Sequence, residues 1–170
     1  ELPYNSSVMY LERGMRLTVR DLARGLAVAS ANDAAFALAR VVSGSTGAFA
    51  ARMNAVAKRY GLSRTRFEEP SGLSDRNVTT AREMATFARA YIRERPDSLK
   101  ELHSLETMEF PLPRNFPPGK RAPAGYLPPV LRNRNPLVGV YPGLDGLKTG
   151  YIAESGFNYV ATARRGDTRF

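Results

Sequence analysis

The feature that most constrains this sequence is a change of hydrophobic spacing near His103. Before that residue, apolar side chains recur at the three- and four-residue spacing of amphipathic helices. After it, they alternate with polar residues in short runs bounded by proline and glycine, which is typical of strands. Helices that precede antiparallel strands in this way are segregated from the sheet, so we predict an α+β fold. The 170 residues fit one domain.

Two of the four helices expected in the first part of the chain begin with clear signals. Thr18 and Asp21 resemble a capping box in which aspartate replaces the usual glutamate or glutamine. Thr80 and Glu83 match the full capping-box pattern, in which each side chain reaches the backbone N–H of the other residue. The second helix is expected over residues 34–42, where small side chains favour close packing.

The second part of the chain is expected to form short antiparallel strands. Residues 107–112 alternate in polarity, and residues 157–163 are the strongest strand candidate. Gly166 and Asp167 fit a two-residue hairpin turn that leads into a return strand. The segment from Asn115 to Pro129 is rich in proline, glycine and basic side chains, so we predict an exposed, variable surface loop there.

The composition excludes several classes of site. The chain has no cysteine, so it has neither disulfides nor a thiolate metal site. Its one histidine, His103, makes a histidine metal site or a Ser-His-Asp triad hard to build, and we expect this residue at the surface near a helix end. The net charge of +9 favours anionic surroundings, but the arginines are spread out and no nucleic-acid recognition motif occurs. We therefore predict no metal, cofactor or nucleic-acid partner.

Two short motifs are candidates for a functional site. The K-T-G motif of residues 148–150 follows a glycine-containing turn and precedes a predicted strand, and the S-x-N motif of residues 30–32 lies between two helices. K-T-G occurs by chance in about 4% of chains of this length, and S-x-N in about one chain in two. Structural interpretations therefore stay open: Ser30 and Asn32 could cap the two helices. Lys148 could be a solvated residue at a strand end, and Gly150 could form a β-bulge.

The flanks of both motifs make them more specific. With these flanks, the motifs resemble two of the three signature motifs of the low-molecular-weight D-alanyl-D-alanine carboxypeptidases, which are penicillin-binding serine peptidases. The stretches that carry the resemblance are S-S-V-M-Y-L at residues 6–11, V-R-D-L at 19–22, S-A-N-D-A at 30–34, T-A-R-E-M-A at 80–85, N-R-N at 133–135 and D-G-L-K-T-G-Y at 145–151. The resemblance runs nearly from end to end and weakens at residues 115–129. It implies a helical cluster and an antiparallel sheet of the β-lactamase and transpeptidase type.

The resemblance implies a function for six positions, catalytic for Ser30, Asn32 and Lys148 and substrate-binding for Thr149, Gly150 and Arg134. The lysine charge and the threonine hydroxyl would hold the free carboxylate of a peptide ending in D-Ala-D-Ala. The glycine would let the substrate backbone approach the chain closely. The serine hydroxyl would relay a proton to the leaving amine, and the asparagine amide would hold a substrate peptide group. The arginine would either attract the carboxylate or be an ordinary surface cation.

The remaining signature motif of the family, S-x-x-K, supplies the nucleophilic serine and its lysine base. None of the 11 serines in the sequence has a lysine three positions later. The resemblance therefore implies that residues 1–170 are a partial catalytic domain, without the N-terminal nucleophile segment and the C-terminal strand and helix. Attachment to a membrane surface would then depend on a missing C-terminal segment.

The first testable prediction concerns this missing motif. We expect the 170-residue chain alone to take no covalent label from a fluorescent penicillin, because it has no serine that a nearby S-x-x-K lysine could activate. In-gel fluorescence of the denatured chain would measure the label, with a complete penicillin-binding protein as the positive control. A labelled 170-residue band would contradict the prediction.

The resemblance also implies substrates, a location and two competing functions. A carboxypeptidase of this type removes the last D-Ala from peptidoglycan pentapeptides, binds β-lactams and lies in the periplasm or elsewhere outside the cytoplasm of a bacterium. One alternative is a serine β-lactamase, which in class A needs a carboxylate to activate the deacylating water. Glu68 and Glu69 are available, but not in the E-x-x-L-N setting of that class. The other alternative is a non-catalytic wall-binding protein that retains the fold.

Overall fold

The computed structural model describes residues 2–170, which fold into a helical cluster and two antiparallel sheets. The helices are α1 (Val19–Val28), α2 (Asn32–Ser43), α3 (Thr46–Arg59) and α4 (Ala81–Glu94), followed by a π-helical turn (Leu99–His103) and a 3-10 turn (Pro113–Asn115). The strands are β1 (Thr107–Glu109), β2 (Val130–Arg132), β3 (Leu144–Ile152), β4 (Gly156–Arg165) and β5 (Thr168–Arg169). The predicted α+β class is confirmed.

The larger sheet leaves one long strand edge open. Its strand order is β3-β4-β5, so within residues 2–170 β3 pairs on one side only. The strand predicted at 157–163 is confirmed within β4, and Gly166 and Asp167 form the predicted turn between β4 and β5. The strand predicted at 107–112 is shorter than expected, because Pro111 in its second half has no N–H to donate to a neighbouring strand.

Small side chains let α1 and α2 pack closely over a cluster of buried apolar residues. The buried members of this cluster are Met9, Leu22, Ala29, Ala31, Ala34 and Phe110. Gly25 of α1 lies directly against the Met9 sulfur, so a Cβ at this position would collide with that side chain. The Thr18 and Asp21 capping box at the start of α1 forms as predicted.

The Asp33 carboxylate attaches the N-terminal segment to the start of α2. It accepts hydrogen bonds from the backbone N–H groups of Met9 (3.0 Å) and Leu11 (3.0 Å). It also accepts one from Ala34 N–H (2.9 Å), which satisfies a free donor in the first turn of the helix. Helix α2 therefore begins at Asn32, two residues before the predicted start.

Half of the capping box predicted for α4 is absent. The Thr80 hydroxyl accepts a hydrogen bond from Glu83 N–H, as expected. The Glu83 carboxylate turns away from the helix start and accepts hydrogen bonds from Arg64 N–H (2.9 Å) and the Thr65 hydroxyl (2.5 Å). These partners lie in the loop after α3, so a tertiary contact replaces the local one.

The segment predicted to be an exposed loop begins at a buried anchor. Asn115 is 1% exposed, and its amide bridges Leu112 N–H (2.8 Å) and the Arg16 carbonyl (2.9 Å). Farther along, the ring of Tyr126 packs edge-on against Phe116, while Lys120 is exposed. The prediction is therefore correct for the tip of the segment and wrong for its base.

An open groove of about 1320 Å³ separates α4 from the β3–β4 hairpin. Apolar side chains of α4, including Met84 and Ile92, form one wall, and Tyr151, Val160 and Phe170 contribute to the other. In residues 2–170 no single helix is long and apolar enough to cross a membrane, although α2 and α3, bent by 84° at their junction, would pass by length and composition as a pair.

Candidate active site

The two motifs singled out in the sequence meet in the structure. Lys148 Nζ donates a hydrogen bond of 2.7 Å to Ser30 Oγ across 118 positions of the sequence. The same ammonium donates to the Thr149 carbonyl at 2.5 Å. The turn between α1 and α2 and the open edge of β3 therefore form the two sides of one site.

The backbone at Ser30 is held in an uncommon conformation. Its φ is +54°, in the left-handed region that non-glycine residues seldom occupy. The N–H of the neighbouring Asn32 donates to the Ser7 carbonyl at 2.8 Å, which fixes the far side of the turn. Strain of this kind is typical of functional sites, where the surrounding structure holds one side chain in a required position.

Asn32 is not the helix cap that the alternative interpretation requires. The N-cap of α2 is Ala31, and Asn32 is the first helical residue. Its side chain is 8% exposed and makes no hydrogen bond to another residue in the 2–170 range. An amide without a protein partner can donate to and accept from a ligand group.

Lys148 is half-buried and lies inside β3, opposite Val160 of β4. K-T-G precedes the predicted strand at 157–163, as expected, and itself lies in β3, so the alternative of a solvated lysine at a strand end is wrong. Burial lowers the pKa of the Lys148 ammonium to about 8, because the charged form loses hydration. Near neutral pH this lysine can therefore hold a charge or give up a proton.

The rest of the K-T-G motif faces open space. Gly150 is exposed and pairs with Asn158 in regular register, so it does not form the bulge considered from the sequence. A Cβ built on Gly150 would meet no atom within 4 Å. The Thr149 hydroxyl has no hydrogen-bond partner among the described residues. The strand edge is therefore accessible to a ligand at both positions.

Arg134 lies at a bend that follows β2, and the residues on either side of it are structural. Its backbone N–H donates to the Val28 carbonyl at 2.9 Å, two residues before Ser30, and its side chain is exposed. Asn133 donates to the carbonyls of His103 and Leu105, and Asn135 is 5% exposed. Asn133 also accepts a hydrogen bond from Asn135 N–H at 2.8 Å, so the two asparagines hold the bend while Arg134 stays exposed. Neither asparagine was predicted as a site residue, because their side-chain partners are distant in the sequence.

His103 is not the surface residue expected from the sequence. It is half-buried, and its Nδ1 lies 3.1 Å from the Leu147 carbonyl of β3. Its Nε2 lies 3.0 Å from the Tyr91 hydroxyl of α4. Burial lowers the pKa of the imidazole, as does the Lys148 charge, and together they outweigh the opposing effects of the Leu147 carbonyl and Asp145.

The loop at residues 68–78 borders the groove and is tied together by one carboxylate. Glu69 accepts hydrogen bonds from the N–H and hydroxyl of Ser71 (both 2.6 Å), from Gly72 N–H (2.6 Å) and from the Asn77 amide (2.7 Å). Burial alone raises the pKa of this carboxyl, but the bonds from Ser71, Ser74 and Gly72 outweigh it and lower the pKa. Within the 2–170 range, no three histidine, aspartate or glutamate side chains form a group that could hold a metal ion.

Comparison with known families agrees with this geometry. The family model described as D-alanyl-D-alanine carboxypeptidase matches residues 3–170, nearly the whole chain. The chain belongs to the D-alanyl-D-alanine carboxypeptidase family. The resemblance inferred from its motifs is thereby confirmed.

Individual carboxypeptidase relatives are longer than this chain. It is 35% identical over 164 residues to the D-alanyl-D-alanine carboxypeptidase DacF of Bacillus subtilis, which covers 96% of the chain and 39% of DacF. The crystal structure of the D-alanyl-D-alanine carboxypeptidase DacD from Francisella tularensis superposes with a TM-score of 0.85 at 28% identity, covering 97% of this chain and 49% of DacD. Penicillin-binding protein D2 of Listeria monocytogenes, solved in its ampicillin-bound form, has a TM-score of 0.78 at 30% identity over 99% of this chain and 64% of its own.

These similarities establish the carboxypeptidase fold and the family. The matched region contains both motifs and the hydrogen bond between Ser30 and Lys148. The roles of single residues in the carboxypeptidase site stay predictions, which the geometry makes testable.

Proposed function

We propose that this chain provides the carboxylate-binding strand and the proton relay of a serine-type D-Ala-D-Ala carboxypeptidase, with residues 1–170 as part of the catalytic domain. The observation that carries the proposal is the 2.7 Å hydrogen bond between Lys148 Nζ and Ser30 Oγ. It joins a cation on an open strand edge to a hydroxyl that can both accept and donate a proton.

The strand side of the site suits the free carboxylate of a peptide. The Lys148 ammonium supplies the charge, and the Thr149 hydroxyl supplies a donor without another partner among the described residues. A charge-assisted bond of this kind stabilises a complex by about 1.5–3 kcal/mol. Arg134 is an exposed cation whose backbone is bonded to Val28 at the end of α1. Its charge would attract the peptide carboxylate as the peptide approaches the site.

The turn side of the site suits proton transfer. When the amide bond between the two D-alanines breaks, the acyl group passes to a nucleophilic serine and the leaving amine must gain a proton. Ser30 can donate its hydroxyl proton to that amine and recover one from the Lys148 ammonium, whose pKa of about 8 suits transfer near neutral pH. The Asn32 amide would hold a substrate peptide group beside this relay.

The same groups suit a β-lactam, which has a carboxylate next to a reactive amide. We therefore propose peptidoglycan pentapeptides and β-lactams as the ligands of the site, in line with the ampicillin bound to penicillin-binding protein D2. Peptidoglycan peptides are components of the bacterial wall, so we also propose a periplasmic or other extracytoplasmic location. Membrane attachment stays a prediction from the resemblance.

The loop carboxylates argue against the β-lactamase alternative. Five hydrogen-bond donors occupy Glu69, and its lowered pKa makes it a poor base for activating water. Glu68 is paired with Arg76 at 2.7 Å and accepts a bond from the Ser74 hydroxyl at 2.8 Å. Neither carboxylate is available in the way that deacylation requires.

Peptide titration of the 170-residue chain tests the proposal and gives the second prediction. We expect a peptide ending in D-Ala-D-Ala with a free carboxylate to bind at least about tenfold more tightly than its C-terminal amide, a difference of about 1.4 kcal/mol. Gly150→Val should weaken binding of the acid, because a side chain would stand where the substrate backbone approaches. NMR chemical-shift changes would measure the two affinities.

The melting temperature of Gly150→Val serves as the control. The added side chain meets open space and valine suits a strand, so the variant should melt within a few degrees of the parent chain. Equal affinity for the acid and the amide would contradict the proposal, as would undiminished binding by the folded variant. A non-catalytic wall-binding protein would bind the same peptide, but its complete form would take no covalent label from penicillin.

A further inference from the structure

His103 connects α4 to the strand that carries Lys148. Its Nδ1 is 3.1 Å from the Leu147 carbonyl, and its Nε2 is 3.0 Å from the Tyr91 hydroxyl. The Tyr91 ring also packs edge-on against the imidazole, with 5.6 Å between the ring centres. The imidazole is therefore held from both sides, in one orientation.

These contacts determine the tautomer of the neutral ring. A carbonyl oxygen can only accept a hydrogen bond, so Nδ1 must carry the proton that faces Leu147. Nε2 then accepts from the Tyr91 hydroxyl, which can donate. Tyr91 thus keeps the proton on the nitrogen that faces β3, as second partners of functional histidines commonly do.

The bonded carbonyl belongs to the residue of β3 that directly precedes Lys148. The preceding carbonyl, of Gly146, receives a longer bond of 3.4 Å from the Asn135 amide. Gly146 is buried, and a Cβ built there would lie 3.2 Å from the Cβ of His103. The π-helical turn that ends at His103 is therefore in close contact with β3. Beyond this point β3 has no second neighbouring strand in residues 2–170, and a Cβ built on Gly150 would meet no atom within 4 Å.

We propose that His103 is a positioning residue that fixes the β3 backbone at Leu147 and thereby holds the Lys148 ammonium at Ser30. This inference rests on the proposed function for its relevance to catalysis. The imidazole does not touch the Ser30 hydroxyl; it acts through the peptide unit that joins Leu147 to Lys148. A loosened strand edge would let the lysine side chain leave Ser30 and turn to solvent.

The charged state of the lysine reports its position. In place, Lys148 is half-buried and its pKa is lowered to about 8. A lysine released to solvent returns toward the ordinary pKa of about 10.4. The titratable groups that face His103 are Tyr91 of α4 and Asp145 and Lys148 of β3. A substitution at position 103 that changes no charge near neutral pH therefore changes the Lys148 pKa only through the position of the lysine.

Three variants of the 170-residue chain give the third prediction. His103→Phe keeps an aromatic ring but removes both nitrogens, and we expect the Lys148 pKa to rise by at least about one unit toward 10.4. His103→Asn retains an N–H donor at the place of Nδ1, so the Lys148 pKa should stay near that of the parent chain. Tyr91→Phe removes only the hydroxyl that sets the tautomer and should raise the pKa by less than His103→Phe.

NMR titration of the lysine side-chain carbons measures these values in the chain without any ligand. Lys148 is one of four lysines, and the exposed Lys58, Lys100 and Lys120 provide internal references. An unchanged Lys148 pKa in a folded His103→Phe chain would overturn the proposal, because a residue that only stabilises the fold changes the melting temperature and not this value. Failure of His103→Asn to restore the pKa would also overturn it.

Two further outcomes separate this inference from the proposed function. If His103→Phe does not fold, an unchanged Lys148 pKa in Tyr91→Phe still counts against the inference. If the pKa responds to His103 but the chain fails to prefer the peptide acid over its amide, the positioning role stands and the proposed function is wrong. If the peptide acid is preferred and the Lys148 pKa does not respond to His103, the proposed function stands and the positioning role is wrong.

Discussion

Replacing Lys148 with methionine should weaken binding of a peptide that ends in a free carboxylate by about 10- to 150-fold. Methionine keeps much of the length of the side chain but removes the charge and the bond to Ser30. The loss corresponds to the roughly 1.5–3 kcal/mol that one charge-assisted hydrogen bond contributes. Isothermal titration calorimetry of the parent chain and the variant, at neutral pH, would measure it.

The pH dependence of the same binding reaction provides an independent readout. Burial lowers the pKa of the lysine to about 8, so the ammonium is charged below that pH and neutral above it. Affinity for the peptide acid should therefore fall as the pH rises through about 8, well before an ordinary lysine near 10.4 would titrate. The Lys148→Met variant should show no such change.

A matched control is available at another lysine. Lys120 is exposed on the surface segment after the 3-10 turn, so Lys120→Met removes the same charge elsewhere. It should leave peptide affinity within about twofold, since a charge far from the carboxylate is screened by salt. Equal losses in the two variants would show that net charge, and not the K-T-G site, determines binding.

Replacing Asp33 with alanine should lower the free energy of unfolding by about 2–4 kcal/mol. The change leaves the N–H groups of Met9 and Leu11 without an acceptor, and each unpaired buried donor costs about 1–3 kcal/mol. For a chain of this size that corresponds to a melting temperature lower by about 5–15 °C. Circular dichroism during a thermal ramp would measure it.

Two further substitutions define the cause of that loss. Asp33→Asn keeps one acceptor oxygen, so its melting temperature should lie between those of the parent chain and Asp33→Ala. Asp75 is exposed, and Asp75→Ala should change the unfolding free energy by no more than about 0.5 kcal/mol. A melt of Asp33→Ala that matches that of Asp75→Ala would contradict the assigned role.

The features that could be predicted from the sequence are those whose causes are local. The capping box at Thr18 depends on a residue three positions away, and the hairpin at Gly166 and Asp167 depends on a dipeptide. The α+β class follows from the spacing of apolar residues within each part of the chain. The meeting of Ser30 and Lys148 was expected only through the family resemblance, because no local rule joins residues 118 positions apart.

Two of the predictions that were wrong concern residues whose partners are distant in the sequence. Glu83 has the local pattern of a capping box, but its carboxylate accepts a hydrogen bond from the Thr65 hydroxyl, in the loop between α3 and α4. His103 is bonded to Leu147, 44 positions later, and nothing near either residue indicates this contact. Polar side chains in such places are determined by tertiary packing, which overrides local propensity.

The open edge of β3 also affects how this chain behaves in concentrated solution. An unpaired strand edge is a template on which a second molecule can add its own strand, and this is a common route to aggregation. A lysine on such an edge opposes that pairing, since a strand from another copy would have to bury its charge. Lys148 would therefore oppose pairing between copies of the chain at the same strand edge where it attracts an acidic peptide. Lys148→Met would weaken peptide binding and remove this protection against aggregation together.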